Sequence, residues 1–333
     1  MVQDVFSQRQ QTQAAALHSG QFSAGAEILP ANLVQLRTLA RQLPLHKQKK
    51  VLNDLAGSHA SAIRGRGLDY AEVREYQAGD DIRAMDWRVT ARTGDAHVKV
   101  FREEKERPVL LVCDLRAGMR FGSRRALKQV VAADLTALFA WAALEHGDRI
   151  GALLFNDEQE TDLRPKTGRK QVLQLLSELP ALPASAAVEP QQRMQQICRH
   201  LRRIARPGSA IYFISDWAGF DAECEQQLHA VTRHCDLVAI HISDPLEAEL
   251  PPPGLYTLSD GQQRLSLDST TSAQRHDYHQ AFSDRLSLLQ QQLQRIKVPL
   301  ITLSTSDADP LPLLRQGLGL GMLSRASGGK RGA

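Results

Sequence analysis

The feature that most constrains this chain is an alternation that runs from Pro108 to Leu303, in which short apolar runs follow longer segments that are apolar on one side only. The runs are Pro108 to Cys113, Arg149 to Phe155, Ser209 to Ser215, Asp236 to Ile242 and Pro299 to Leu303. Each is too short for a helix and apolar at consecutive positions, so each reads as a strand buried on both faces. Strands of that kind separated by helices make a mostly parallel sheet with helices on both faces.

The intervening helices follow from their spacing. Leu127, Val130, Val131, Leu135, Leu138, Phe139 and Ala142 form one stripe ending at Gly147. Val172, Leu175, Leu176 and Leu179 form a second, within Gly168 to Leu179. Pro190 opens a helix carrying Met194, Ile197, Cys198, Leu201 and Ile204, and Asp221 caps one carrying Cys224, Leu228 and Val231. Tyr278, Phe282, Leu286, Leu289, Leu293 and Ile296 recur every three or four residues and define a long helix. Two segments interrupt the alternation. Pro180 to Pro190 reads as a linker, and Leu255–Leu258 with Arg264–Leu267 flank Asp260-Gly261, a hairpin expected at the edge of the sheet.

Upstream, residues 1–26 are rich in Gln, Ala and Ser and read as an arm, followed by a short helix with Leu33, Leu36, Leu39, Ala40 and Leu43 on one face. Between that helix and the first strand lies Arg64 to Arg107, which holds ten Lys/Arg and ten Asp/Glu. A phosphate-binding surface needs a one-sided positive excess, so this balance favours guanidiniums paired with carboxylates. Gly79 and Gly94 mark turns, and three short strands are expected, with Tyr76 and Trp87 packed inward and Arg74, Arg83, Arg88 and Arg92 held by nearby acids.

The formal charge of +4 on 333 residues fixes no partner, and no apolar run approaches the roughly 20 residues needed to span a bilayer. The first residues show neither a basic start nor an apolar middle, so no secretory signal is read and a cytoplasmic location is expected. Four cysteines without a C-x-x-C pair read as buried thiols. Eleven histidines lack zinc spacing, and Ser215-Asp216 lacks the G-x-S-x-G elbow of a serine hydrolase. Gly65-Arg-Gly67 is not a phosphate loop, because no Gly-Lys-Ser/Thr follows.

Gly65-x-Gly67, Arg74-x-Tyr76, Gly79-Asp80-Asp81-x-Arg83, Asp86-Trp87 and Arg92, followed by a strand ending in Asp114, resemble the signature of the family named domain of unknown function 58. The resemblance implies a von Willebrand factor A-like (Rossmann-like) α/β domain at 108–305, preceded by an arm and helix at 1–63 and a small β-rich signature element at 64–107. A C-terminal helix and tail at 306–333 follow. Such domains carry a metal-ion-dependent adhesion site whose first strand ends in Asp-x-Ser-x-Ser, with hydroxyls and carboxylates holding Mg²⁺. Here the sequence reads Asp114-Leu-Arg116-Ala-Gly118, a degenerate version, and the resemblance puts Thr167 and Asp216 at the other ligand positions. A permanently charged guanidinium has no lone pair to offer a metal. Arg116 is therefore expected to replace the ion and to bridge Asp114 and Asp216, with no cofactor; any residual metal would sit on those two acids. The alternative is that Arg116 points to solvent while the two acids cap loops or helix ends.

The resemblance further implies a non-enzymatic adaptor that works with a MoxR-type AAA+ ATPase on client proteins, while the balanced charge argues against nucleic acid and the lack of a long apolar run against membrane insertion. The alternatives are a Mg²⁺-dependent adhesion-site module and an uncharacterised hydrolase, the latter marked by a deep polar pocket around Asp114, Asp216 and His241.

Overall fold

The computed structural model describes residues 21–43, 45, 68–77, 82, 85–103, 107–183, 189–259 and 264–319. The described residues up to Leu45, with those from Arg107 onward, form one compact unit; those from Leu68 to Glu103 belong to a second.

In chain order the helices are α1 (Pro30–Gln35), α2 (Arg37–Ala40), α3 (Trp87–Thr93), α4 (Lys128–Glu145), α5 (Arg169–Glu178), α6 (Pro190–Ile204), α7 (Ala222–Thr232), α8 (Pro245–Ala248), α9 (Ser272–Arg295) and α10 (Leu311–Gly317). The strands are β1 (Leu68–Glu75), β2 (His97–Glu103), β3 (Pro108–Asp114), β4 (Arg149–Phe155), β5 (Glu160–Lys166), β6 (Ala210–Ser215), β7 (Asp236–Ser243), β8 (Leu255–Ser259), β9 (Arg264–Asp268) and β10 (Leu300–Ser304).

Among the described residues of the larger unit, six strands form one sheet in the order β10-β7-β6-β3-β4-β5. All neighbours pair in parallel except β4 and β5. The fold class read from the sequence is therefore found as a mixed α/β architecture with a mostly parallel sheet. Alternate residues of β3 enter different cores. Val109, Leu111 and Cys113 face α4 and its neighbours, while Leu110 and Val112 face the side covered by α6, α7 and α9. From β3 the chain moves one way to β4 and β5, then returns to β6 on the other side. The carboxyl ends of β3 and β6 thus flank the point where strand order reverses, the usual ligand crevice of open α/β sheets.

Several elements differ from the sequence reading. β5 does not follow from the sequence pattern, because its alternation of exposed and less exposed residues is that of an edge strand and only Leu163 is buried. Helix α4 is buried all round, from Val130 to Ala143, whereas its spacing predicts a one-sided stripe. The outer side of α4 is covered by the N-terminal helices: Trp141 Nε1 donates to the Leu33 carbonyl at 2.9 Å, and the Arg37 guanidinium lies 5.7 Å from the Trp141 ring. The helix assigned to a separate N-terminal segment is thus part of the α/β core, with Leu33, Leu36 and Leu43 at most 1% exposed. The C-terminal helix α10 likewise buries Leu311 and Leu314 in that core. The 108–305 boundaries are accordingly too narrow. The hairpin strands β8 and β9 pair antiparallel as read, but they form a two-stranded sheet of their own. Their Asp260-Gly261 turn lies outside the described residues, as do most of the N-terminal arm, the tail from Leu320 and the middle of the Pro180–Pro190 segment.

In the smaller unit β1 and β2 pair antiparallel, with Met85 bridged to Val98. The segment containing Trp87 is a helix, where a third strand was expected. Asp86 caps α3 by accepting from the amides of Arg88 at 3.1 Å and Val89 at 3.2 Å, and Gly94 ends it at φ +84°. Those two signals outweigh the strand preference of Trp, Val and Thr. The expected inward Trp87 is 67% exposed, Tyr76 is half-buried, and Arg88 and Arg92 are exposed. Arg74 donates to the Glu75 carbonyl at 3.0 Å. Gly65, Gly67, Gly79, Asp80, Asp81 and Arg83 lie outside the described residues.

Candidate functional site

The sheet delivers Asp114 and Asp216 to the same crevice because β3 and β6 are parallel neighbours ending level with each other. Arg116 follows β3 in extended conformation, and its own amide donates to Asp114 Oδ1 at 3.0 Å. The guanidinium folds back onto the same carboxylate, with Nε 3.0 Å from Oδ1 and Nη2 2.7 Å from Oδ2. Nη2 also reaches Asp216 Oδ1 at 3.3 Å, and Nη1 donates to the carbonyls of Ala218 at 3.0 Å and Pro190 at 3.3 Å. The Phe155 ring, 5.8 Å away, flanks the group. Arg116 is 3% exposed and Asp114 fully buried, so the reading in which Arg116 points to solvent does not describe this geometry.

A second cation enters the crevice that the sequence reading missed. Lys128, the first residue of α4 and 1% exposed, donates to Asp216 Oδ2 at 3.0 Å and to Glu247 Oε1 at 2.6 Å. Its place was the available signal, because it stands between Leu127 and Val130 of the apolar stripe, at the start of a helix bound for the core. Glu247 belongs to the capping box of α8, where its other oxygen accepts from the Asp244 amide at 2.9 Å. Asp157 closes the crevice by accepting from the Ala117 amide at 2.7 Å.

The electrostatics follow from this pairing. Burial by itself would raise the Asp216 carboxyl, but Lys128 and then Arg116 outweigh it and hold the group below the usual carboxylate range. Burial by itself would lower Lys128 and Arg116. The carboxylates of Asp216 and Glu247 around the first, and of Asp114 and Asp216 around the second, reverse that and raise both. His241, on β7 beside Ser215, is lowered to about 4 chiefly by burial, with Lys128 adding to the fall and Asp216 opposing it. Its Nδ1 is buried without a hydrogen-bond partner.

The residues do not fit Mg²⁺. Both oxygens of Asp114 already accept from Arg116, and Oδ2 accepts in addition from Ser215 Oγ at 2.6 Å. Asp216 gives one oxygen to Lys128 and the other to Arg116 and the Ala218 amide, which is 3.0 Å away. An octahedral shell of hard oxygens would have to form between two fixed cations. Gly118 offers no hydroxyl, and a Cβ there would stand 3.2 Å from Asp216 Oδ2. Thr167 is exposed, and it follows the end of β5 that pairs with Ile150 at the start of β4, so it lies at the opposite end of the sheet from the crevice.

Ser215 is also committed. Its hydroxyl donates to Asp114 and accepts from the Trp217 amide at 2.9 Å, which leaves it bound in the scaffold. Trp217 holds a left-handed φ of +60°, strained for a side chain of that size, and the surroundings fix it: the indole donates to the Ile240 carbonyl at 3.2 Å and packs on Phe213. The crevice is therefore built to be rigid, with every carboxylate of Asp114 and Asp216 tied to a fixed cation.

Among known proteins, the chain is 30% identical over 275 residues to an uncharacterized protein of Mycobacterium tuberculosis and to one of Mycobacterium bovis, covering 81% of this chain and 85% of each relative. Among solved structures it is similar to the conserved hypothetical protein BatB of Bacteroides thetaiotaomicron, at 12% identity and a TM-score of 0.36 over 57% of this chain and 98% of that one. It is also similar to an aerotolerance-related membrane protein of Bacteroides fragilis, at 12% identity and a TM-score of 0.40 over 64% and 98%. No helix of the described residues is long and apolar enough to cross a membrane. Residues 72–286 match the family described as protein of unknown function DUF58, and with more than half of its length matched the chain belongs to that family.

Proposed function

We propose that this protein is a non-enzymatic interaction module of von Willebrand factor A-like design, working in the cytoplasm as the adaptor of a MoxR-type AAA+ ATPase that assembles or matures other proteins. The observation that carries this reading is the crevice at the ends of β3 and β6. Its carboxylates are tied to Arg116 and Lys128, and its serine hydroxyl is tied to Asp114. Groups so committed have no free base, nucleophile or ligand position to offer a reaction, because each would have to give up a buried ion pair first. What remains is a rigid sheet end whose surface can hold another protein.

The test is capture from the native cytoplasm with and without ATP, followed by gel filtration of this protein with the purified ATPase. Co-elution that depends on nucleotide supports the adaptor role. Recovery of no AAA+ ATPase in either nucleotide state removes it.

A further inference from the structure

Beside the ion-paired crevice, on the other side of Asp216, a cleft of about 480 Å³ opens between the ends of β6 and β7 and helix α9. Its apolar wall consists of Phe220, Phe282, Leu286 and Leu289, and Leu288 at its margin is 55% exposed. The long stripe of α9 explains the origin of this wall. Leu289, Leu293 and Ile296 are buried in the core, whereas Tyr278, Phe282 and Leu286, on the same face toward the helix start, are only half-buried. The upper half of an otherwise core-facing stripe is thus left facing a cleft.

The other end of the cleft is polar and carries unspent capacity. His241 lines it, 7% exposed, with Nδ1 lacking any hydrogen-bond partner; an unmade bond at a buried ring nitrogen is costly. Asp216 and Glu247 stand beside it, 12% and 30% exposed. The ion-pair network to which they belong sets three carboxylates (Asp114, Asp216, Glu247) against two cations (Arg116, Lys128), so one negative charge is left over. Glu247, its most exposed member, faces the cleft. Arg285 on the rim is exposed, where water screens its charge.

We infer that this cleft is the docking site for a peptide segment of a protein partner, one that places large apolar side chains against Phe282 and Leu286 and a lysine or arginine at the Asp216–Glu247–His241 end. Charge complementarity selects the basic residue: it neutralises the surplus carboxylate and brings N–H groups to the end that holds the orphan nitrogen. The volume suits two or three apolar side chains. This inference rests on the interaction-module reading and names the place where the partner is held.

The experiment is selection of a random 12-residue peptide library on the full-length protein, followed by fluorescence titration of the enriched peptides. Enrichment of sequences pairing two or more large apolar residues with a Lys or Arg is expected. Leu286→Asp should weaken the selected peptides roughly tenfold or more, and Glu247→Gln should erase the preference for a basic residue while the apolar preference persists. Thermal unfolding of both variants guards against misfolding; if Leu286→Asp fails to fold, Phe282→Ser takes its place. Acidic consensus peptides, no enrichment, or titrations unmoved by the wall variants would overturn the proposal. Capture of the ATPase undiminished by Leu286→Asp also overturns it yet leaves the adaptor role standing. Loss of all ATPase capture removes the adaptor role, and the peptide titrations then judge the cleft separately.

Discussion

Lys128 and Asp216 meet at 3.0 Å although 88 residues separate them in the chain, the lysine buried and the carboxylate only slightly exposed. The pair joins the head of α4 to the end of β6, and through Asp216 it is linked to Arg116 and Asp114. The crevice is therefore one electrostatic unit, and removing either cation leaves buried carboxylates uncompensated.

Arg116→Ala tests that unit most directly. Deleting one partner of a buried ion pair costs about 3–5 kcal/mol, because the charge left behind is neither solvated nor matched. Urea unfolding should show a loss of that order, with Arg116→Lys intermediate because an ammonium cannot reproduce the forked contact with Asp114. Titration of the wild type with Mg²⁺ and Mn²⁺ should give no binding heat. Micromolar affinity abolished by Asp114→Ala would contradict the assignment of Arg116 as the built-in cation.

Two buried groups should oppose each other between pH 4 and pH 6.5. Asp134, inside α4, is raised to about 6 chiefly by burial, against the bonds it accepts from Ser23 and the nearby charge of Arg125. A carboxyl raised above its unfolded value costs stability as pH climbs from about 4 to about 6, on the order of 3 kcal/mol. His241, lowered to about 4, acts with the opposite sign: its contribution is full above pH 6.5 and is lost as pH falls toward 4, by a similar order. The wild type should thus be nearly flat in this window. Stability of Asp134→Asn should rise with pH across it and that of His241→Phe should fall, as followed by urea midpoints at half-unit steps.

Leu36→Ala should behave as a core mutation. Leu36 is fully buried against the α4 layer, and truncating such a leucine costs about 2–5 kcal/mol. A cost under 1 kcal/mol would mean that the N-terminal helices only rest on the domain.

In the smaller unit, Asp86→Ala should cost about 1 kcal/mol of helix stability through loss of the cap, whereas Trp87→Ala, at an exposed site, should change stability by less than about 0.5 kcal/mol. Hydrogen exchange at the Thr90 and Gly94 amides, which bond to Asp86 and Thr90 carbonyls, separates the two outcomes.

What the sequence determined by itself was whatever a local pattern can encode. Consecutive apolar residues at Pro108–Cys113 and Ala210–Ser215 dictate strands buried on both faces, and Pro190 and Asp221 start helices where they stand because capping is a matter of a few adjacent atoms. Asp114 and Asp216 were legible as site residues because they stand at the ends of such strands, and Arg116 because the family resemblance puts it where a hydroxyl would hold a metal. Tertiary structure alone decided the rest. The Lys128 ammonium lies far along the chain from both carboxylates it touches, and the outer side of α4 is buried because α1 and α2 return to cover it. Trp87 faces water because Asp86 and Gly94 set a helix where its residues favour a strand. Periodicity reports which face of an element prefers to be dry; only the packed chain decides how much is covered, and which distant charge answers a buried one.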